Sequence, residues 1–289
     1  MPQTPDGATT DVDLRARVDE IDTRIHQALM ERAELETAIQ AAHGSGGVNA
    51  DFFDPERDAD SVRQMVERHQ GSLPLAAVEH IWRDMIGACS AAQTRPVIYL
   101  DGGAELTEML DLARFNFGFA AELDPCSDTA DVVDAVGLSS EGAIGLVALT
   151  DRAELPWWRG LSEAGARVRA RLPFVVLDER PADLPALVLA RSGSLAETAD
   201  VAVYDARWSD VLPGRLMDQG IEVLSFFRSA NGVDALLAIS GELTEEDVRR
   251  ACAAAGAEPD VLRRVGGYAA PIDADGDADD EFGGEELQR

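Results

Sequence analysis

The chain has 289 residues, 46% of them hydrophobic, enough for two or three small globular domains. Its net charge of −29 argues against nucleic acid and anionic membrane as partners, since both need basic surfaces. All 25 basic residues are arginine, so a site that ordinarily uses lysine must use another residue here.

No apolar run is long enough to span a bilayer, and the N-terminus shows no signal-peptide pattern. Cys89, Cys126 and Cys252 are few and widely spaced, which suggests neither a disulfide framework nor a metal site. A cytoplasmic protein is the expectation.

Residues 1–11 are polar and predicted to be disordered. The spacing of Leu14, Val18, Ile21, Ile25 and Leu29 then predicts one face of a long helix, from about Asp13 to His43. Arg32 replaces the next apolar residue on that face, where it needs an anion or a carboxylate partner. Arg15 lies roughly 25 Å away along the axis and about 100° around it, so one small ligand is not gripped by both from one helix. A helix roughly 45 Å long also needs partner helices or a partner subunit. The glycine-rich break at 44–47 stops it.

Asp54 and Pro55 in FFDPERD mark the start of a second helix ending near Gly71, and a third runs from about Leu75 to Gln93. From Pro96 the pattern becomes α/β: PVIYL, AIGLVAL and ALVLA read as strands, and ELTEMLDLARFNFG as a helix. From residue 199 the order is strand (DVAVYDA), helix (SDVLPGRLMDQG), strands (IEVLSFF, DALLAIS), helix (TEEDVRRACAAAG) and strand (VLRRV). That βαββαβ order is ferredoxin-like. The tail from Asp273 is acidic. Its DADGDADDEF stretch has Ala278 where a calcium loop needs glycine, so it reads as a solvated, disordered tail. Trp82, Trp157 and Trp158 read as core or interface residues.

Three helices carrying these arginines, the DPERD turn and a late glutamine resemble the all-helical class of chorismate mutases. The resemblance implies an intertwined homodimer through the N-terminal helices, with the first helix spanning both sites. Arg32 would then serve its own chain's site, and Arg15 the partner's. It further implies carboxylate binding by Arg15, Arg32 and Arg57, ordering or hydroxyl binding by Asp54, and contact with the ring hydroxyl by Asp58, where the family usually has glutamate. Gln93 falls on the glutamine that hydrogen-bonds the ether oxygen, and Cys89 where serine or threonine is common. His43 stands where the family has lysine; alternatively it caps the helix end. No cofactor is implied.

The resemblance continues along the chain. Residues 96–192 look like a reduced prephenate dehydratase domain, and residues 199–272 like its regulatory ACT domain, following a mutase-like domain over 13–94. The dehydratase's Thr-Arg-Phe signature is replaced by Leu184-Pro185-Ala186, which implies that its chemistry is lost. In the ACT-like unit, Phe226-Phe227-Arg228-Ser229 stands for the effector motif, with Arg228 the candidate contact for an aromatic amino-acid effector. The expected fold class is thus multi-domain: an all-α three-helix mutase domain, an α/β segment and a ferredoxin-like α+β domain. The expected function is conversion of chorismate to prephenate. The alternatives are a non-catalytic chorismate- or amino-acid-binding regulator and a working mutase–dehydratase.

Overall fold

In the computed structural model, residues 11–44, 54–91, 96–139, 143–191, 199–241 and 243–275 are described. The chain forms two compact units, residues 1–50 and 51–289. The first is built on one helix, α1 (Asp11–Gly44), with Asp11 and Asp13 in its first turn, where acids favour the helix dipole. Its apolar face is left open within the chain: Leu14 and Ile25 are 52% and 53% exposed.

The second unit opens with α2 (Pro55–Arg68) and α3 (Leu75–Ala91). Asp54 caps α2, accepting from the Arg57 amide at 3.2 Å, and Pro55 fills the first turn. Ala59, Val62 and Met65 recur on its buried face and pack with Phe174 and Val175. The Trp82 indole donates to the Ser61 hydroxyl at 2.9 Å, tying α3 to α2.

There follow β1 (Val97–Asp101), α4 (Leu106–Phe117), β2 (Glu122–Cys126), α5 (Thr129–Leu138), β3 (Ile144–Ala148), β4 (Ala166–Leu172), β5 (Val175–Val176) and β6 (Ala186–Arg191). The last stretch contains β7 (Val201–Trp208), β8 (Ile221–Ser229), β9 (Gly232–Ser240), α6 (Glu245–Ala255), β10 (Val261–Tyr268) and β11 (Ile272–Asp273). Nine strands form one sheet in the order β2-β1-β3-β6-β4-β10-β7-β9-β8, and β11 pairs with β5. β2, β1 and β3 run parallel; β3, β6 and β4 alternate in direction.

The two halves of the sheet meet at a single register pair, Gly266 opposite Val168, with bulges on both strands beside it. A Cβ on Gly266 would stand 2.2 Å from the Val168 carbonyl oxygen, so this approach requires glycine. The far edge of the sheet turns back on the molecule. The Ala153 amide donates to the Phe226 carbonyl and the Phe226 amide to the Asp151 carbonyl, each at 2.9 Å. Trp157 and Trp158 lie buried in the resulting core with Val168, Val203 and Leu236.

The four strands β10-β7-β9-β8, with α6 between β9 and β10, retain the order expected of the ferredoxin-like unit. Its first helix is a correction. Only a 3₁₀ turn at Met217–Gln219 forms where residues 209–220 suggested a helix, because Pro213 and Gly214 interrupt the run. β2, α5 and β4 are further elements that the strand and helix patterns above did not single out. α2 ends at Arg68 rather than near Gly71. Residues 1–10, residues 92–95 and the tail beyond 275 lie outside the described residues. Of the expected tail, Asp273 pairs with Val176, and Asp275 accepts from the Asp178 amide at 2.5 Å.

Candidate functional site

Apart from Gln93, the residues that the resemblance assigns to a mutase site lie on or at the start of three helices. On α1, Arg15 is exposed and donates to Asp11 at 2.9 Å. Arg32 meets the carboxylate partner that its position demanded: Glu36, one turn on, at 3.3 Å. His43 lies in the last turn of α1, but its side chain is outside the described residues, as is Gln93 altogether.

On α2, the DPERD sequence brings Asp54 and Arg57 together at the helix start. The cap bond from the Arg57 amide leaves both side chains beside an open groove shared with Asp60, Ser61 and Gln64. Asp58 follows Arg57 by one position, about 100° further round the helix. It therefore belongs to a different cavity, lined also by Arg83, Asn116 and Arg171. On α3, Cys89 is half-buried and forms no disulfide. Arg228 is exposed near the end of β8, paired in register with Val233.

The sequence reading did not find the charged centre of the second unit. Glu79, fully buried on α3, accepts from Arg83 at 2.9 Å and from Arg180 at 3.1 Å. Arg180 also donates to the Val175 carbonyl, and its guanidinium sits over the Phe115 ring at 4.8 Å. Burial pulls the Arg180 guanidinium below its ordinary value, and the Glu79 charge opposes that. The available signal was the Glu79–Arg83 spacing of four within a helix, the spacing of a stabilising pair. On β4, Arg171 donates to both Glu222 oxygens at 3.0 and 2.9 Å. Burial raises the neighbouring Tyr268 hydroxyl, against the Arg171 hydrogen bond and charge. Leu184, Pro185 and Ala186 lead into β6, with Ala186 fully buried and Leu184 packed against the same apolar core.

The chorismate mutase type II family matches residues 14–94. The bifunctional chorismate mutase/prephenate dehydratase of Aquifex aeolicus is 33% identical over 125 residues, covering 42% of this chain and 33% of that protein. Its counterpart from Neisseria gonorrhoeae is 29% identical over 143 residues, covering 45% of this chain and 38% of that one. The chain thus spans only about a third of the length of these curated relatives. Among solved structures, prephenate dehydratase in complex with L-Phe from Arthrobacter aurescens aligns with a TM-score of 0.37 at 13% identity, over 60% of this chain and 90% of that one. No described helix is long and apolar enough to cross a membrane. Residues 14–94 thus match the chorismate mutase type II family, in a chain similar over part of its length to bifunctional chorismate mutase/prephenate dehydratases.

Proposed function

We propose that the chain is a chorismate mutase, converting chorismate to prephenate, and that it works as a homodimer through α1. The observation that carries this reading is the mutase family match over residues 14–94, the same helices that bear Arg15, Arg32, Asp54 and Arg57. The open apolar face of α1 supports the dimer, since a helix of this length cannot cover that stripe alone.

The rearrangement is unimolecular and needs no nucleophile or cofactor. Its catalyst must fold a dicarboxylate into the compact reactive conformer and stabilise charge developing on the ether oxygen. Arg15 and Arg32 suit the carboxylates because guanidinium forks bind bidentately and stay charged. Arg57 and Gln93 complete the reading around the ether and ring oxygens, with Asp54 and Cys89 beside them, while Asp58, the family's ring-hydroxyl position, lines the neighbouring cavity with Arg83. His43 would supply the cation that lysine gives elsewhere, and only in its protonated form.

In this reading residues 96–192 have lost dehydratase chemistry. The apolar packing of Leu184 and Ala186 supports that, because both positions are spent on the core. Residues 199–272 would form an ACT-like domain, with Arg228 the candidate contact for an aromatic amino acid.

The test is loss of chorismate absorbance with purified protein from about pH 5.5 to 8, where an ordinary histidine titrates. Turnover that rises on acidification supports the mutase with His43 in lysine's place. A pH-flat rate keeps the mutase and removes His43. Chorismate binding with no turnover at any pH would make the chain a regulator. Phenylpyruvate formed from prephenate would overturn the loss of dehydratase chemistry.

A further inference from the structure

A cavity open to solvent is lined by residues of α2, α3, α4 and β4. Two buried side chains there have hydrogen-bonding capacity to spare. Arg83 is 9% exposed and engages Glu79 through Nε, which leaves the two terminal nitrogens of its fork for another acceptor. Asn116 is 5% exposed, and its Nδ2 donates to the Leu112 carbonyl at 2.9 Å. Its Oδ1 is buried with no hydrogen-bond partner among the described residues. An orphaned buried acceptor is costly, so this position calls for an explanation.

The rest of the lining sorts the ligand chemistry. Phe117, Leu172 and Phe174 supply an apolar wall, and Asp58 supplies a carboxylate. Arg171, though it lines the same space, is committed to Glu222 through two short contacts. What remains is the Arg83 fork, with Arg169 a second cation in the lining, one unpartnered carbonyl acceptor and an apolar surface. A carboxylate suits the fork. A hydrogen-bond donor on the adjacent carbon suits Asn116, and a hydrocarbon tail suits the wall. An acid without that donor leaves Oδ1 unsatisfied, and an amine without a carboxylate sets one cation against another.

We propose that this cavity is a binding site for a small 2-substituted acid, a 2-amino or 2-hydroxy acid with an apolar side chain. The assignment is independent of Arg228, and the cavity shares one lining residue, Asp58, with the mutase reading. Its shared chemistry is a carboxylate on Arg83 and an adjacent ammonium or hydroxyl on Asn116 Oδ1.

Calorimetric titration of the full chain tests it with four probes of equal tail: L-leucine, 2-hydroxy-4-methylpentanoate, 4-methylpentanoate and 3-methylbutylamine. Saturable binding of either of the first two is expected, and the tighter of them identifies the source. The plain acid should bind at least about tenfold more weakly, the difference made by one hydrogen bond of about 1.4 kcal/mol, and the amine should give no heat. Arg83→Gln should weaken binding by more than about tenfold, since it removes a charge-assisted contact, while Arg228→Gln leaves it unchanged. Asn116→Leu should erase the difference between the substituted and plain acids. That variant decides the question if circular dichroism shows Arg83→Gln unfolded. Absence of heat for all four probes at millimolar concentration overturns the proposal. So does binding that neither cavity variant alters, because the ligand would then lie elsewhere.

Discussion

Arg180 and Glu79, 101 residues apart in sequence, meet at 3.1 Å with side chains 1% and 0% exposed. Arg83 holds the other oxygen of the same carboxylate at 2.9 Å. The arrangement fastens α3 to the segment between β5 and β6, and it does so with charges that cannot be left alone in the interior. Two guanidinium groups around one carboxylate leave the centre with a net positive charge, so Glu79 is the member whose loss is worst tolerated.

Glu79→Ala should therefore lower stability by about 3–5 kcal/mol, the range for a broken buried ion pair. Glu79→Gln should cost less, because it keeps a hydrogen-bond acceptor for one arginine. Arg180→Met combined with Glu79→Ala should be less destabilising than the two single changes summed. Denaturant unfolding of the three single variants and the double variant checks this. Simple additivity would mean that the two residues do not depend on one another.

The sheet offers a sharper test at its narrowest point. Gly266→Ala places a methyl group 2.2 Å from the Val168 carbonyl oxygen and 2.7 Å from its nitrogen. Both are backbone atoms that no side-chain rotation can clear, so β10 must move away from β4. The expected loss is about 3 kcal/mol, at the upper end of overpacking costs. Gly214→Ala, where a Cβ meets nothing within 4 Å, is the neutral control. Equal thermal shifts in the two variants would show that the strand junction is not tight.

Cys252 provides the pH dependence. Its thiol is buried among the apolar residues under α6, and burial pushes it up to about 11. The folded state therefore holds this proton more tightly than the unfolded chain does. Its contribution is fully present below the ordinary value near 9 and is lost as pH rises from there through about 11. The contribution is about 3 kcal/mol, two pKa units at about 1.4 kcal/mol each. Thermal melts from pH 8 to 11 should fall steeply in the native chain and less steeply in Cys252→Ala, with Tyr204 and Tyr268 adding to the decline at the alkaline end. Parallel curves for the two proteins would remove Cys252 as a cause.

Asp54 has a capping role in the fold and a proposed role in the substrate site, and substitution can separate them. As N-cap it accepts from the Arg57 amide, and Asp54→Ala should cost about 1 kcal/mol of stability. Asp54→Asn preserves the cap, because asparagine is an equally good capping residue. If Asp54 also orders the substrate site, Asp54→Asn should keep the melting temperature of the native chain and still lose turnover. Full activity in the stable Asn variant would leave Asp54 as a cap alone.

Much of this architecture is legible in the residues. The three-and-four spacing from Leu14 to Leu29, the DPERD start and the Thr244–Asp247 capping box each express a local preference that the fold keeps. The helix expected over 209–220 fails for an equally local reason, the Pro213-Gly214 pair inside its apolar pattern. What local pattern cannot convey is long-range satisfaction. Glu79 and Arg83 look like a surface pair until Arg180 arrives from across the fold, and Asn116 looks like any residue of a last helical turn until its Oδ1 is found buried. Arg57 and Asp58 are neighbours in a motif, yet the 100° step of the helix assigns them to different cavities. The apolar face of α1 is likewise readable, but one chain's sequence does not say what covers it.

The shared-site dimer makes a prediction that separates it from every single-chain arrangement. If Arg32 serves its own chain's site and Arg15 the partner's, Arg15→Ala and Arg32→Ala should each be inactive as homodimers, because both sites lack one carboxylate fork. A mixed dimer is different. One of its sites takes Arg32 from the Arg15→Ala chain and Arg15 from the Arg32→Ala chain, and is whole, while the other lacks both. Unfolding and refolding an equimolar mixture should make about half the molecules mixed, each with one intact site of two, so about a quarter of native turnover should return. Size-exclusion chromatography of the same samples should show a dimer throughout, since neither arginine belongs to the apolar stripe from Leu14 to Leu29. Failure of the mixture to recover, with a dimer still present and the native chain active, would place both arginines in the site of their own chain.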